Sequence, residues 1–418
     1  MIESYIPTSS FSWVDFADED RQKMLNVIQL FREQDTRDEL GVGSVRDAFA
    51  DYFLPGTSTI QTRAKYMLFV PWIYLELERQ RVRSPEIAAK ARNKEIQLIY
   101  VLLKSSDTAG VIGKDAKGKL QRLPSSIYWT GLASWGIRLF GGSQDQYHRH
   151  LDGYYRTLKR NEVYSSELEL SGRHIPPNWH RGIPQPPARM MEEASLQLTK
   201  EEAQYLQEQI IFHHPKSLLA KLVSLDQHHS VDFLWDHPAV HLLTEGLRRD
   251  LLHARNFSEA IHGAALLYNL MLAEAIKSDD LIAKYEEQLR SWRKKIEKRW
   301  NDFVGWHANI SAFWHLDAFK QARIAKATMT FVNEWLNCVF RATDVGKIPE
   351  NAYVQALIRN REYQLKGNRA RLGNPAALKQ WSGASGHIQL NYRWGNVSVI
   401  VADILDGMGR VRNNAQPE

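Results

Sequence analysis

Apolar positions recur at helical spacing along most of the chain, and polar stretches rich in glycine or proline interrupt them. Asp18 is placed to cap a helix bearing Met24, Leu25, Ile28 and Phe31 on one face. Gly41 and Gly43 break that pattern. Ser44 then opens a second helix, with Asp47 in a capping-box-like position and Val45, Phe49 and Tyr52 as its apolar stripe. Pro55-Gly56 ends it. A third helix is expected to start near Ser58, carrying Ile60, Ala64, Met67, Leu68, Trp72 and Leu75, with a kink at Pro71.

Further on, the pattern predicts a helix over 85–103, a basic glycine-containing turn in GVIGKDAKGKL, and a helix in LPSSIYWTGLASWGIR capped by Ser125 or Ser126. HIPPNWHRGIPQPP then holds five of the fifteen prolines, so neither a helix nor a central strand persists there. Helical signals resume at LTKEEAQYLQEQI, where Thr199 and Glu202 form a capping box. They continue through NFSEAIHGAALLYNLMLAEAI, 281–303 and 317–340. HIQLNYRW alternates apolar and polar residues, the mark of a short strand, although an irregular extended segment fits as well. The expected class is mainly α. Two helical units, 1–170 and 191–418, are joined by a proline-rich connector at 171–190, with at most a few short strands.

Composition narrows the function classes. Of 418 residues, 44% are hydrophobic and 24% charged, as in soluble globular proteins. Cys338 is the only cysteine, which excludes an intrachain disulfide framework and fits a reducing, cytoplasmic setting. The start MIESYIPTSSFSW has no apolar core of a signal peptide, and the apolar run 66–77 is too short to cross a bilayer, so no membrane partner is expected. A net charge of +6 and a pI near 9.1 mildly favour acidic partners such as DNA or RNA.

Several motifs come close and fail. Gly113 to Leu120 has the spacing of a phosphate-binding loop, but Leu120 stands where a Ser or Thr must hold magnesium. His214-Pro215-Lys216 begins like the H-x-K of phospholipase-D-type nucleases, yet Lys221 occupies the place of the required aspartate. The histidines at 213, 214, 228, 229, 237 and 241 lack an H-E-x-x-H pattern and read as solvated or structural. No metal, cofactor or catalytic set is expected from these patterns.

What remains is a short list of cations. YHRHLDGYYRTLKR interleaves Arg149, Arg156, Lys159 and Arg160 with tyrosines, a pattern that suits phosphate neutralisation with base stacking or simply a solvated helix. RSWRKKIEKRW sets Arg293 and Lys294 on a basic helix exterior. In IRNREYQLKGNRARLGNP the apolar face Val354, Leu357, Ile358 runs into Arg361 and Glu362. Buried charge needs partners, so Arg361 is expected to be buried and paired, while Lys366, Arg369 and Arg371 approach a loop that fits either an anion pocket or an ion-pair network. Arg369 and Arg371 are expected to be the more exposed. Finally, GTSTIQTRAKY puts Arg63 and Lys65 beside an expected helix N-terminus, where a phosphate would be favoured. Asp47 and Asp51 offer Arg63 an internal partner, and a structural ion pair is the first reading.

FSWVDF, ELGVGSVRDAFADYFLPGTSTIQTRAKYMLFVPWIY, LPSSIYWTGLASWGIR, HGAALLYNLMLAE, REYQLKGNRARL and WSGASG together resemble a family of uncharacterised bacterial proteins known only as a domain of unknown function. The resemblance implies a bacterial cytoplasmic protein, similar to ones encoded near helicases and nucleases in phage-defence clusters, and brings no established reaction. The expectation is a non-catalytic nucleic-acid-binding accessory protein of such a system, with a helicase or nuclease among its partners. A nuclease or nucleotide-processing enzyme with a dispersed site, and a helical protein-interaction scaffold, are the alternatives.

Overall fold

A computed structural model describes residues 38–167, 175–410 and 412–413. The helix expected after Asp18 and the FSWVDF motif lie outside them. The protein is mainly α, with fifteen α-helices among the described residues. In chain order these are α1 (Gly43–Phe53), α2 (Tyr66–Arg79), α3 (Ser84–Leu102), α4 (Pro124–Ser134), α5 (Gln144–Glu167), α6 (Lys200–His213), α7 (Leu218–Leu222) and α8 (Glu245–Ile276). They continue with α9 (Asp279–Lys298), α10 (Trp300–Ala308), α11 (Ile310–Phe313), α12 (Lys326–Phe340), α13 (Ala352–Lys366), α14 (Pro375–Leu378) and α15 (Trp394–Gly407). The only sheet among the described residues is a parallel pairing of β1 (His228–His229) with β2 (Arg412–Asn413).

Helix α8, 32 residues long, is the spine of the C-terminal half. Helices α9, α12 and α13 pack on it. Gly263 lets α9 approach closely, because a Cβ there would overlap the Trp292 ring. Tryptophans supply much of the core, and several buried indoles find carbonyl acceptors, as burial of an N–H favours. Trp335 donates to the Ala260 carbonyl, Trp292 to Glu259, Trp394 to Val231 and Trp135 to Pro55. The buried apolar residues form one cluster that runs from Leu40 to Leu405. The proline-rich stretch takes part in it: Trp179 and Ile183 are buried, and the Pro184 carbonyl accepts from the Trp72 indole.

Several local expectations need correction. α1 is capped by the Asp38 carboxylate, which accepts from the Val42 and Gly43 amides at 2.7 Å, and not by Ser44. α2 starts at Tyr66 rather than near Ser58. α4 starts at Pro124 with no side-chain cap, and Ser125 is instead bound to Glu95. The run 317–340 is a short 3-10 turn at Asp317–Phe319 followed by α12. HIQLNYRW is irregular rather than a strand. Side chains of α8 occupy the carbonyls that a neighbouring strand would use, with Ser258 donating to Leu390 and His262 to His387.

Candidate nucleic-acid interface and the buried charge networks

Residues 57–65 form a looped approach to α2, held by hydrogen bonds to distant elements. The Thr62 and Arg63 amides donate to the Tyr128 hydroxyl, and Gln61 reaches the Gly56 carbonyl. The Arg63 side chain turns inward. Its Nε donates to Asp403 at 3.0 Å, and Nη1 donates to Asp107 at 2.6 Å and to the Ala109 carbonyl at 2.9 Å. Asp403 also accepts from the Ala64 amide at 2.9 Å. Burial works against the Arg63 charge, but the two carboxylates outweigh it and its pKa rises. The internal pair expected for Arg63 is therefore present, with other acids than expected. Asp47 and Asp51 pair instead with Arg393, a cation the sequence pattern did not mark.

Lys65 is also buried. Its Nζ donates to Glu202 at 2.5 Å and to the Gln197 carbonyl at 3.1 Å, and lies 5.4 Å from the centre of the Trp72 ring. Burial pulls its pKa down despite the Glu202 partner. The same Glu202 oxygen accepts from the Thr199 amide, completing the capping box of α6. One carboxylate thus caps a helix and neutralises a lysine from the chain's first half.

At the end of α13 the apolar stripe does run into charge, and both groups are buried: Arg361 is 3% exposed and Glu362 0%. Arg361 donates to the Leu40 and Gly41 carbonyls and to Thr328 Oγ1, and its guanidinium lies over Phe331. Backbone carbonyls rather than a carboxylate satisfy it. Glu362 accepts from the Tyr268 hydroxyl at 2.6 Å and from the Arg371 and Leu372 amides. Burial pushes its pKa up, but these donors and Lys366 hold it below the ordinary carboxylate value. Lys366 and Arg371 both pair with Glu39, whose carboxylate they hold charged against burial. Arg371 was expected to be exposed. Its side chain is only 11% exposed, because Glu39, 332 residues earlier, draws it inward. Arg369 is exposed. Around Tyr268 the structure thus closes an ion-pair network, with Lys366 and Arg371 committed to it.

The remaining candidates lie on the surface. On α9, Arg290 pairs with Glu286 and Glu287, and Arg293 with Glu297 and Asp344, so acids answer the arginines of that face, and Lys294 is exposed. On α5, Arg149 pairs with Asp145. Arg156, Lys159 and Arg160 are exposed, and no carboxylate among the described side chains pairs with them. Tyr154 and Tyr155 beside them are half-buried against the core. Tyr147 is fully buried in an aromatic cluster with Trp129 and Trp179.

The histidines are dispersed. His214 bonds to Ser134, His237 caps the turn Pro238–Leu242, and His241 is exposed, so the last two do not share an α-helical face. Among the described residues, no three His, Cys, Asp or Glu side chains are grouped so as to hold a metal. No helix among them is long and apolar enough to cross a membrane. No curated protein and no solved structure matches the chain. A family model described as a family of unknown function (DUF6361) matches residues 8–408, and the chain belongs to that family.

Proposed function

We propose that this protein is a non-catalytic nucleic-acid-binding accessory component of a bacterial anti-phage defence system, and that α5 supplies the grip. The observation that carries the reading is the exposed cationic face of α5, where Arg156, Lys159 and Arg160 have no carboxylate partner among the described side chains. Arg149, paired with Asp145, extends the stripe, so that Arg149, Arg156 and Arg160 follow at i, i+7 and i+11, with Lys159 beside them. At ~1.5 Å per residue the stripe is about 16 Å long, enough to meet two or three successive phosphates. Tyr154 at its edge offers a ring face for stacking. The overall charge of +6 favours the encounter. Of the candidate cations, those buried in pairs maintain the fold, and the free ones on α5 are available to a polyanion.

Recovery of the protein from its native host, with nucleic acid and co-purifying proteins both identified, tests the reading. Enrichment of DNA or RNA that is lost when Arg156, Lys159 and Arg160 are replaced by Gln supports it. Recovery of a helicase or nuclease supports the accessory role. Protein free of nucleic acid, with the same partners for wild type and variant, contradicts α5 as an interface.

A further inference from the structure

The loop 104–122 joins α3 to α4 and carries Lys104, Lys114, Lys117, Lys119 and Arg122. All five are exposed, and no carboxylate among the described side chains pairs with them. Of the two acids in the loop, Asp107 is taken by Arg63 and Asp115 is exposed. The loop is tied to the fold. Arg92 of α3 donates to the Gly118 and Leu120 carbonyls, Val111 and Ile112 are buried, and the Ile112 amide donates to the Tyr66 hydroxyl. Its turn at Lys117–Lys119 holds Lys117 at φ 46°, a left-handed backbone that is costly for a residue other than glycine. The cations thus stand on a backbone that is already ordered, which spares a ligand part of that cost.

The loop lies next to the start of α5. Helices α3 and α5 pack together. Ser84, at the start of α3, bonds the Arg149 carbonyl and the Asp152 carboxylate. Gln144, at the start of α5, bonds Ser125, which is held by Glu95 in the middle of α3. The two helices therefore run in opposite directions, and the loop, fastened to the second half of α3, stands beyond the N-terminal end of α5. From Arg156 to Gln144 is about 18 Å along the helix, and Arg122 precedes Ser125 by three residues. An aromatic ring accompanies the loop as well. Tyr100 is 46% exposed, and a Cβ on Gly118 would lie 3.7 Å from its hydroxyl.

We propose that the loop 104–122 is a second phosphate-binding surface, which takes the continuation of a single-stranded nucleic acid gripped by α5, with Tyr100 as the platform for one base. The inference rests on the reading of α5 as the grip and extends it. Unpaired cations on an ordered loop neutralise phosphates, and an exposed tyrosine ring stacks any base, so this surface holds a strand without reading its sequence. A single strand is the ligand that suits both parts, because it bends from helix to loop and leaves its bases open to the ring.

Two lengths of labelled oligothymidylate, about six and about twenty nucleotides, test it by fluorescence anisotropy on the full chain. The short strand is held by α5 alone and the long one reaches the loop. With Lys114, Lys117 and Lys119 all changed to Gln, the long strand should bind at least about tenfold more weakly, and its slope of log K against log salt should become shallower by about 2. The short strand should bind that variant as it binds wild type, and the melting temperature should not change. Tyr100→Leu, which keeps an apolar side chain and removes the ring, should weaken the long strand about fivefold and spare the short one. Full affinity of the lysine variant for the long strand, or an equal loss on the short one, would overturn the loop as a second surface while leaving α5 as the grip. Full affinity in Tyr100→Leu would overturn the stacking role. Failure of both lengths to bind wild type would overturn the loop and α5 together.

Discussion

Replacing Arg63 by Gln removes the cation that joins the approach to α2, the loop after α3 and helix α15. The variant leaves the Asp403 carboxylate, 5% exposed, with the Ala64 amide as its remaining donor. Breaking a buried pair from one side costs about 3–5 kcal/mol, because the stranded charge has lost its water as well as its partner. At ~2.1 cal/mol/K per residue, unfolding 418 residues carries an entropy of about 0.9 kcal/mol/K, so the melting temperature should fall by about 3–6 °C. Scanning calorimetry of wild type, Arg63→Gln, Asp403→Asn and the double variant measures it. The double variant should lose less than the sum of the singles, by about 0.5–3 kcal/mol, as expected for residues in contact. The loss should also shrink in acid. Burial already holds the Asp403 pKa above its ordinary value against the opposing pull of Arg63, and without Arg63 it rises further, so the folded variant favours the protonated acid. That contribution is fully present below the unfolded pKa and is lost as pH rises through the folded one. A melting temperature within 1 °C of wild type, with weakened anion binding, would refute the structural role and restore Arg63 as a ligand residue.

Three other perturbations follow from the packing. Glu95, buried with its carboxylate on the Ser125 amide and hydroxyl, has its pKa pushed up to about 7 by burial. Stability should therefore fall from about pH 4.5 to pH 7 by up to ~3 kcal/mol, and Glu95→Gln should flatten that dependence in urea titrations at each pH. Arg361→Ala strands the Leu40 carbonyl, leaves Gly41 with Thr328 as its donor, and should destabilise the protein by about 2–4 kcal/mol in urea unfolding, with no effect on nucleic-acid affinity. Gly263→Ala forces the Trp292 ring away from α8 and should cost about 1–3 kcal/mol, read as a lower melting temperature.

The sequence exposed what is local. The capping box Thr199–Glu202 and the burial of Arg361 both follow from spacing within a few residues. What it hid depends on partners hundreds of residues away. α2 begins at Tyr66 because Asp403 and Tyr128 take the amides of residues 62–64, and no local signal announces either. Arg371 is drawn inward by Glu39, and Asp47 and Asp51 are taken by Arg393. The alternation in HIQLNYRW holds only at its end, where Tyr392 and Trp394 are buried; Ile388 is exposed and Gln389 buried, and α8 claims the backbone that would have made it a strand. The candidate cations were visible as residue types. Which of them are free was decided by acids placed through the fold.

The central claim is that α5 holds a phosphate backbone. It is tested most directly by fluorescence anisotropy of a short labelled single-stranded oligonucleotide titrated at several salt concentrations. With Arg156, Lys159 and Arg160 contributing about three phosphate contacts, the slope of log K against log salt should be about −2 for single strands. Changing all three to Gln should bring the slope toward zero and leave the melting temperature unchanged. No binding at low salt, or the same slope in the triple variant, would contradict the account.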